Sequence, residues 1–286
     1  MILGFKNEQK QIKNLANELN IDWDIIALHY FPDHECKLTL PARLPEQVIL
    51  YCTLDRPNEK LIPLMLAADT ARECGASRLT LIAPYLCYMR QDKAFHPGES
   101  ISQRSIGRFL AGLFDRLITV DPHLHRIKHL QEVIPDTEVT TLSAAELITG
   151  YIQTKGFRPL LLGPDSESEQ WVSRIAGPLK LDFAICSKIR TDDHQVIINL
   201  PEVELTGRHI ILVDDVISSG GTLANTARLC LAQGAQRVDV MVTHPLFAAS
   251  AMDRLKRAGI REICSTDSIV HETNTLSLSR LLSQHL

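Results

Sequence analysis

HIILVDDVISSGGTL, residues 209–223, is the stretch that decides the architecture. After His209 come four apolar residues, then Asp214 and Asp215; past Val216 and Ile217 follow Ser218, Ser219, Gly220 and Gly221, and a helical pattern starts at about Thr222. An apolar strand that turns through small residues into a helix is the repeating unit of parallel sheets covered by helices. Small residues also let backbone N–H groups converge on an anion, and the first turn of the helix adds its dipole. Asp214 and Asp215 would repel a phosphate, but carboxylates accept hydrogen bonds well from sugar hydroxyls. A phosphosugar satisfies both halves of the stretch. A plain strand-to-helix turn would explain the glycines but not two adjacent carboxylates behind an apolar run.

Outward from this stretch the same rhythm recurs. Short apolar runs at 48–53, 79–83, 117–120, 160–163, 209–213 and 238–243 alternate with helical patterns, which predicts an α/β protein with parallel sheets flanked by helices. Asn58 can cap a helix that Gly75 ends, and Ser143 with Glu146 forms a capping box for a helix closed at Gly156. Four strands end in a polar residue: Asp121, Asp165, Asp214 and His244. Any one of these alone is ordinary turn chemistry, but together they lie where ligands of open parallel sheets collect, at the carboxyl ends of strands. A boundary near Ser143 divides the chain into domains at 1–143 and 144–274 of similar βα rhythm, with no Gly/Ser-rich linker at the join. The two halves show no clear sequence repetition. Residues 275–286 read as a short closing helix that the first domain can take up.

With 286 residues, 45% hydrophobic and 22% charged, the chain can bury two ordinary cores. A formal charge of -4 gives no general attraction to polyanions, so bound phosphate must be gripped by particular residues and no nucleic-acid partner is expected. The seven cysteines are scattered, odd in number and never at metal-binding spacing, and read as reduced core residues. Residues 1–10 lack the apolar stretch of a signal peptide, and no apolar run approaches the roughly 20 residues of a bilayer span. A soluble, cytoplasmic protein with no membrane partner is expected.

The stretch at 209–223 resembles the phosphoribosyl pyrophosphate signature shared by phosphoribosyltransferases and ribose-phosphate pyrophosphokinases. The resemblance implies two domains of phosphoribosyltransferase type, with Asp214 and Asp215 on the ribose hydroxyls and Ser218, Ser219, Gly220, Gly221 and Thr222 on the 5-phosphate. A second segment separates the two families. YMRQDKAFHPGESIS, residues 88–102, is similar to the ATP segment of the pyrophosphokinases, which implies that Arg90 contacts ATP with Gln91 and Asp92 beside it. An arginine offers a fork of donors to phosphate or a flat face to adenine. FPDHE, residues 31–35, is by itself a turn with one aromatic. It looks like the family's adenine pocket, with Phe31 for stacking and Asp33 and Glu35 for hydrogen bonds. In that family the segment reaches a neighbouring subunit's site, which implies a homo-oligomer, at least a dimer.

DPHLH, residues 121–125, resembles the family's strand-ending Asp-x-His, which implies that His123 is a magnesium ligand. On chemistry alone two histidines near an acid suit zinc, because magnesium prefers oxygen. Asp165 matches the second metal carboxylate and is the more natural magnesium ligand. Ser166, Glu167, Ser168 and Glu169 stand where many relatives are glycine-rich; these acids tune the metal or begin a helix. Lys188 and Arg190, in CSKIR, match the catalytic Lys-x-Arg pair, and alternation along an extended segment puts both on one face. At Ser218 many bacterial and animal relatives carry an acid, so the loop is closer to the archaeal-like form.

The implied reaction is direct attack of the anomeric hydroxyl of ribose 5-phosphate on the β-phosphorus of Mg-ATP, with AMP leaving and no covalent enzyme intermediate. Positioning and electrostatics would carry the catalysis. The competing readings are a phosphoribosyltransferase, which would have no use for the Arg90 segment, and a regulatory pyrophosphokinase-like subunit, which would be expected to have lost Lys188 and Arg190.

Overall fold

The structure is a computed structural model that describes residues 1–127, 129–192 and 195–286, and of these 188–192 and 195–197 by backbone alone. The chain forms two compact units, one of residues 1–142, 268–270 and 277–286, the other of residues 143–267 and 271–276.

The first unit runs β1 (Ile2–Gly4), α1 (Gln9–Leu19), β2 (Trp23–Ile25), β3 (Ala27–Tyr30), β4 (Cys36–Thr39), β5 (Gln47–Tyr51), α2 (Pro57–Glu73), β6 (Arg78–Ile82), α3 (Ser102–Ala111), β7 (Arg116–Val120) and β8 (Glu138–Leu142). Its main sheet is parallel throughout, in the order β2-β1-β5-β6-β7-β8, and β3 with β4 forms a separate antiparallel hairpin. The second unit runs α4 (Ala145–Lys155), β9 (Leu160–Gly163), α5 (Glu169–Leu179), β10 (Phe183–Ile185), β11 (Ser187–Asp192), β12 (Gln195–Asn199), β13 (His209–Ile217), α6 (Gly221–Ala232), β14 (Arg237–Pro245), α7 (Ala251–Arg257), β15 (Ile263–Thr266) and β16 (Asn274–Leu276). Its sheet is again parallel, β10-β9-β13-β14-β15-β16, with β11 and β12 as the separate hairpin. The strand order is the same in both units, and each hairpin falls at the same point of the chain order. α8 (Ser279–Ser283) returns to the first unit and packs on α1.

The apolar runs become central strands because both of their faces are covered. In the second unit Leu160, Leu162, Ile210, Leu212, Val240 and Val242 enter the layer that holds Leu223, Ala227 and Cys230 of α6. Their neighbours Leu161, Ile211, Val213 and Met241 enter the opposite layer, with Ile148 and Ile152 of α4 and Trp171, Val172 and Ile175 of α5. The switch at every residue is the period-two alternation of a strand, and each such side chain contributes about 1.5–3 kcal/mol through burial.

Several boundaries differ from the sequence reading. β13 and β14 run on to Ile217 and Pro245, because each extends along the other: Asp214 pairs with Val242 and Val216 with His244. Asp214, Asp215 and His244 therefore lie inside strands. α2 starts at Pro57, whose missing N–H costs nothing at a first helical position, so the N-cap is Arg56 and Asn58 is already in the first turn. Part of 275–286 is strand, since β16 extends to Leu276. All seven cysteines are free, and burial pushes the thiols of Cys87 and Cys186 up to about 12 and that of Cys230 up to about 11. No helix among the described residues is long and apolar enough to cross a membrane.

Candidate active site

In the second unit the carboxyl ends of β9 and β13 and the start of α6 form one locus. Gly220 is the N-cap of α6 and adopts φ 70°, ψ 6°, a left-handed conformation that glycine enters without cost. A Cβ there would also come within 3.2 Å of Leu255 of α7, so the loop is laid closely on that helix. Ser218 and Ser219 are exposed, Gly221 and Thr222 half-buried, and Ser219 Oγ accepts the Gly221 N–H at 3.4 Å. The Phe247 and Ala248 N–H groups donate to the carbonyls of Ile217 and Ser218, each at 3.0 Å, which fixes the loop's entry. The small residues named from sequence thus sit at the first turn of a 12-residue helix, where unpaired N–H groups and the helix dipole favour an anion.

Asp215 is 2% exposed and Asp214 half-buried, with the Asp215 N–H donating to Asp214 Oδ1 at 3.0 Å. Burial, then the charges of Asp215 and Asp165, hold the Asp214 carboxyl well above the usual carboxylate range. Asp165 is extended at φ -160°, and its Oδ1 accepts the Glu167 N–H at 3.2 Å across a short 3₁₀ turn that leads into α5. The acids after Asp165 therefore stand at a helix start, Glu169 in its first turn. Gly163 is required by close packing: a Cβ there would lie 2.2 Å from Ser168 Oγ and 2.7 Å from Ile185 Cδ1. Two acidic neighbours that raise the proton affinity of Asp214 make a strand end suited to a cation or a set of hydroxyl donors.

β11 carries Lys188 and Arg190 two residues apart, opposite Ile198 and Val196 of β12. Their side chains lie outside the described residues.

In the first unit the segment of residues 88–102 follows β6. Met89 is buried, its carbonyl accepts Gln103 Nε2 at 3.2 Å, and the Gln103 N–H donates to the Gln91 carbonyl at 3.2 Å. Arg90 is exposed between these anchors, and Gln91 is half-buried. The Asp92 carboxylate turns inward and pairs with Arg126. Tyr88 sits at φ 62° with its hydroxyl on Asn58, and Asp121 at φ 36°. Such conformations cost a non-glycine residue of order 1–3 kcal/mol and cluster at functional sites. After β7, His123 and His125 face each other with Nε2 atoms 2.8 Å apart and rings nearly perpendicular at 83°.

The β3–β4 hairpin presents the third segment. Phe31 and Glu35 close the tip through a 2.8 Å backbone bond, Asp33 Oδ1 accepts the Glu35 N–H at 3.1 Å, and His34 takes φ 68°. All five residues of the tip are exposed, Phe31 by 42%, with its ring edge-on to His29. Asp33, Glu35, Tyr30 and Ile62 line a cavity of about 720 Å³ between the hairpin and α2, a ligand-sized volume.

The two units carry different groups at corresponding strand ends. Gly4 pairs with Ile25 as Gly163 pairs with Ile185, and counting along the neighbouring strand places Cys52 and Thr53 where the second unit has Asp214 and Asp215. In this corner of the first unit, which lines a cavity of about 300 Å³, Lys60 Nζ reaches the Thr53 carbonyl at 2.8 Å, Glu8 Oε1 at 3.1 Å, and Asp55. Burial pushes Glu8 up, more than Lys60 pulls it back. Sequence reasoning missed Lys60, Glu8, Gln103 and Arg126: each acts through a partner far along the chain, and no local pattern announces it.

The N-terminal domain of ribose phosphate pyrophosphokinase matches residues 1–113, and a phosphoribosyl transferase domain matches residues 134–274. Ribose-phosphate pyrophosphokinase of Methanosarcina acetivorans is 31% identical over 286 residues, covering 100% of this chain and 98% of that protein. That of Methanopyrus kandleri is 31% identical over 282 residues, covering 98% and 96%. Phosphoribosylpyrophosphate synthetase from Mycobacterium smegmatis superposes with a TM-score of 0.84 at 26% identity, covering 100% of this chain and 96% of that one.

Proposed function

The chain belongs to the ribose-phosphate pyrophosphokinase family, and from that premise we infer how its own residues divide the work of the family's reaction. It is a transferase of nucleotide biosynthesis that converts ATP and D-ribose 5-phosphate to AMP and 5-phospho-α-D-ribose 1-diphosphate. The anomeric oxygen of the sugar bonds to the β-phosphorus as the bond from that phosphorus to the α,β-bridging oxygen breaks. AMP departs with the bridging oxygen, and the hydroxyl proton is released.

The observation that carries the reading is the second unit's strand end, where two adjacent carboxylates precede a glycine loop at a helix N-terminus. Asp214 and Asp215 accept the ribose hydroxyls, and residues Ser218, Ser219, Gly220, Gly221 and Thr222 receive the 5-phosphate. Arg90, Gln91 and Asp92 form the nucleotide segment, with Arg90 as its exposed cation. Lys188 and Arg190 cover the charge that develops on the transferring oxygens. Magnesium fits the carboxylate-rich end of β9 and β13, where burial first and then the charges of Asp215 and Asp165 raise Asp214. His123 is the proposed ligand for one ion and Asp165 for another, and the bound metal would neutralise ATP oxygens. The exposed tip of Phe31, Asp33 and Glu35 has the form of a part given to a second copy's adenine, so the working species is a homo-oligomer, at least a dimer.

The direct test is AMP formation from Mg-ATP with and without ribose 5-phosphate. Sugar-dependent AMP in equal yield with 5-phosphoribosyl diphosphate is expected. Folded, magnesium-replete protein that makes no sugar-dependent AMP would contradict the reading and favour a regulatory subunit.

A further inference from the structure

Arg126 has no role in the reading of the sequence, yet it forms the one ion pair of the nucleotide segment among the described residues. Asp92 carries a carboxylate that is 1% exposed. One oxygen is held by Arg126, and the other, Oδ2, is buried with no partner. A buried carboxylate is tolerated only with a counter-charge, and here the counter-charge is a guanidinium that is itself 50% exposed. Arg126 belongs to the loop that follows β7, three residues beyond His123. That loop is pinned by Leu124 and Ile127, which pack on the core to either side of His125 and Arg126.

Each end of the pair is therefore anchored, and what lies between matters for chemistry. On one side Gln103 holds the Met89 and Gln91 carbonyls from the start of α3. On the other, Arg126 holds Asp92. Arg90 projects from between these anchors.

We propose that Arg126 is a positioning residue for the nucleotide segment: by neutralising Asp92 it locks the Arg90 rung to the loop of His123, so that the triphosphate-binding cation and the metal ligand keep one spacing. Without Arg126 the Asp92 carboxylate has reason to swing outward to water, and the backbone that carries Arg90 goes with it. The role rests on the functional reading above, but it concerns geometry that ATP binding can report without turnover.

The test is calorimetric titration of the full-length protein with ATP, with and without magnesium and in the absence of sugar, alongside the two Michaelis constants. Arg126→Ala should weaken ATP and raise its KM about tenfold, within the range of indirect coupling, while the KM for ribose 5-phosphate stays within twofold. Arg126→Lys should recover most of the loss, since it restores the charge. Asp92→Ala should weaken ATP as much as Arg126→Ala, and the double variant should add nothing further. If Arg126→Ala does not fold, Arg126→Gln, which keeps a donor but no charge, should still weaken ATP. Unchanged ATP affinity in the folded variants would overturn the proposal, as would losses that multiply in the double variant. A wild-type protein that binds ATP but makes no sugar-dependent AMP would instead contradict the functional reading and leave these comparisons of affinity to judge the clamp.

Discussion

Replacing Lys60 by methionine removes the only cation that the described structure places beside the Glu8 carboxylate, which is 2% exposed. Glu8 Oε1 would lose its 3.1 Å partner, Oε2 has none already, and the Thr53 carbonyl would lose a 2.8 Å donor. Breaking a buried pair from one side costs about 3–5 kcal/mol, because an uncompensated charge remains. For domains of 150–250 residues that corresponds to a melting temperature lower by about 6–20 °C. The pH dependence has a fixed sign. Glu8 is already above its ordinary value, with burial as the leading cause. Its ionised form therefore costs stability as pH rises through its folded value, and not below its unfolded value. Burial lowers Lys60 while Glu8 and Asp55 raise it, with a net rise, so it stays charged from pH 5 to 8. The Lys60→Met penalty should be full at pH 8 and shrink toward pH 5, where Glu8 can take up a proton. Lys60→Met/Glu8→Gln should recover most of the loss at every pH, since removing both charges of a buried pair is often neutral. Melting curves at pH 5 and 8 decide it. Equal destabilisation of single and double variants, or no dependence on pH, would show that Lys60 contributes packing rather than charge.

The other expectations concern the reaction. Asp214→Asn should raise the KM for ribose 5-phosphate about 10- to 150-fold, the value of a hydrogen bond to a charged acceptor, with the KM for ATP little changed. The same change should raise the melting temperature of the ligand-free protein at pH 8, because a carboxyl held well above its ordinary value costs stability once the pH rises past that ordinary value; that gain should vanish near pH 4. Lys188→Ala should lower kcat about 100- to 1,000-fold and leave ATP affinity within a few-fold in calorimetry, since its charge matters most in the transition state. Phe31→Ala should raise the KM for ATP up to about tenfold, and at ATP well below that KM a mixture of Phe31→Ala and Lys188→Ala chains should exceed the average of the two activities if one copy's hairpin completes another's site. Linear averaging of the two activities would argue against a shared site.

The sheets were legible in the sequence because buried parallel strands are short runs of apolar residues, and the runs at 79–83, 117–120 and 160–163 became β6, β7 and β9 nearly residue for residue. The hairpin strands were less so: Ala27–Tyr30 and Cys36–Thr39 are four residues each with none fully buried, so no apolar run marks them. The loop at 218–222 was legible since Gly220 answers a local demand, a left-handed φ. Tyr88 and Asp121 meet a similar demand without glycine, and only the surrounding structure holds them there. The extension of β13 through Asp214 to Ile217 was hidden because the acids interrupt the apolar run, while the partner that keeps them extended lies 28 residues away in β14.

The repeated topology gives a physical reason for two units that keep different chemistry at equivalent strand ends. A parallel sheet of this order presents its carboxyl ends as a row of polar positions whatever residues occupy them, and each occupant must be neutralised or ligated. In the second unit Asp214 is held well above the usual carboxylate range by burial and then by its neighbours Asp215 and Asp165, and that is a cost in the unliganded protein. In the first unit Cys52 and Thr53 replace Asp214 and Asp215, and the remaining carboxylates, Glu8 and Asp55, are answered internally by Lys60. The neighbouring ends of β6 and β7 stay open, with Arg90 exposed and His123 half-buried. A fold that repeats its strands without repeating its strand-end charges can give the sugar to one unit and the nucleotide to the other, with no change of architecture between them.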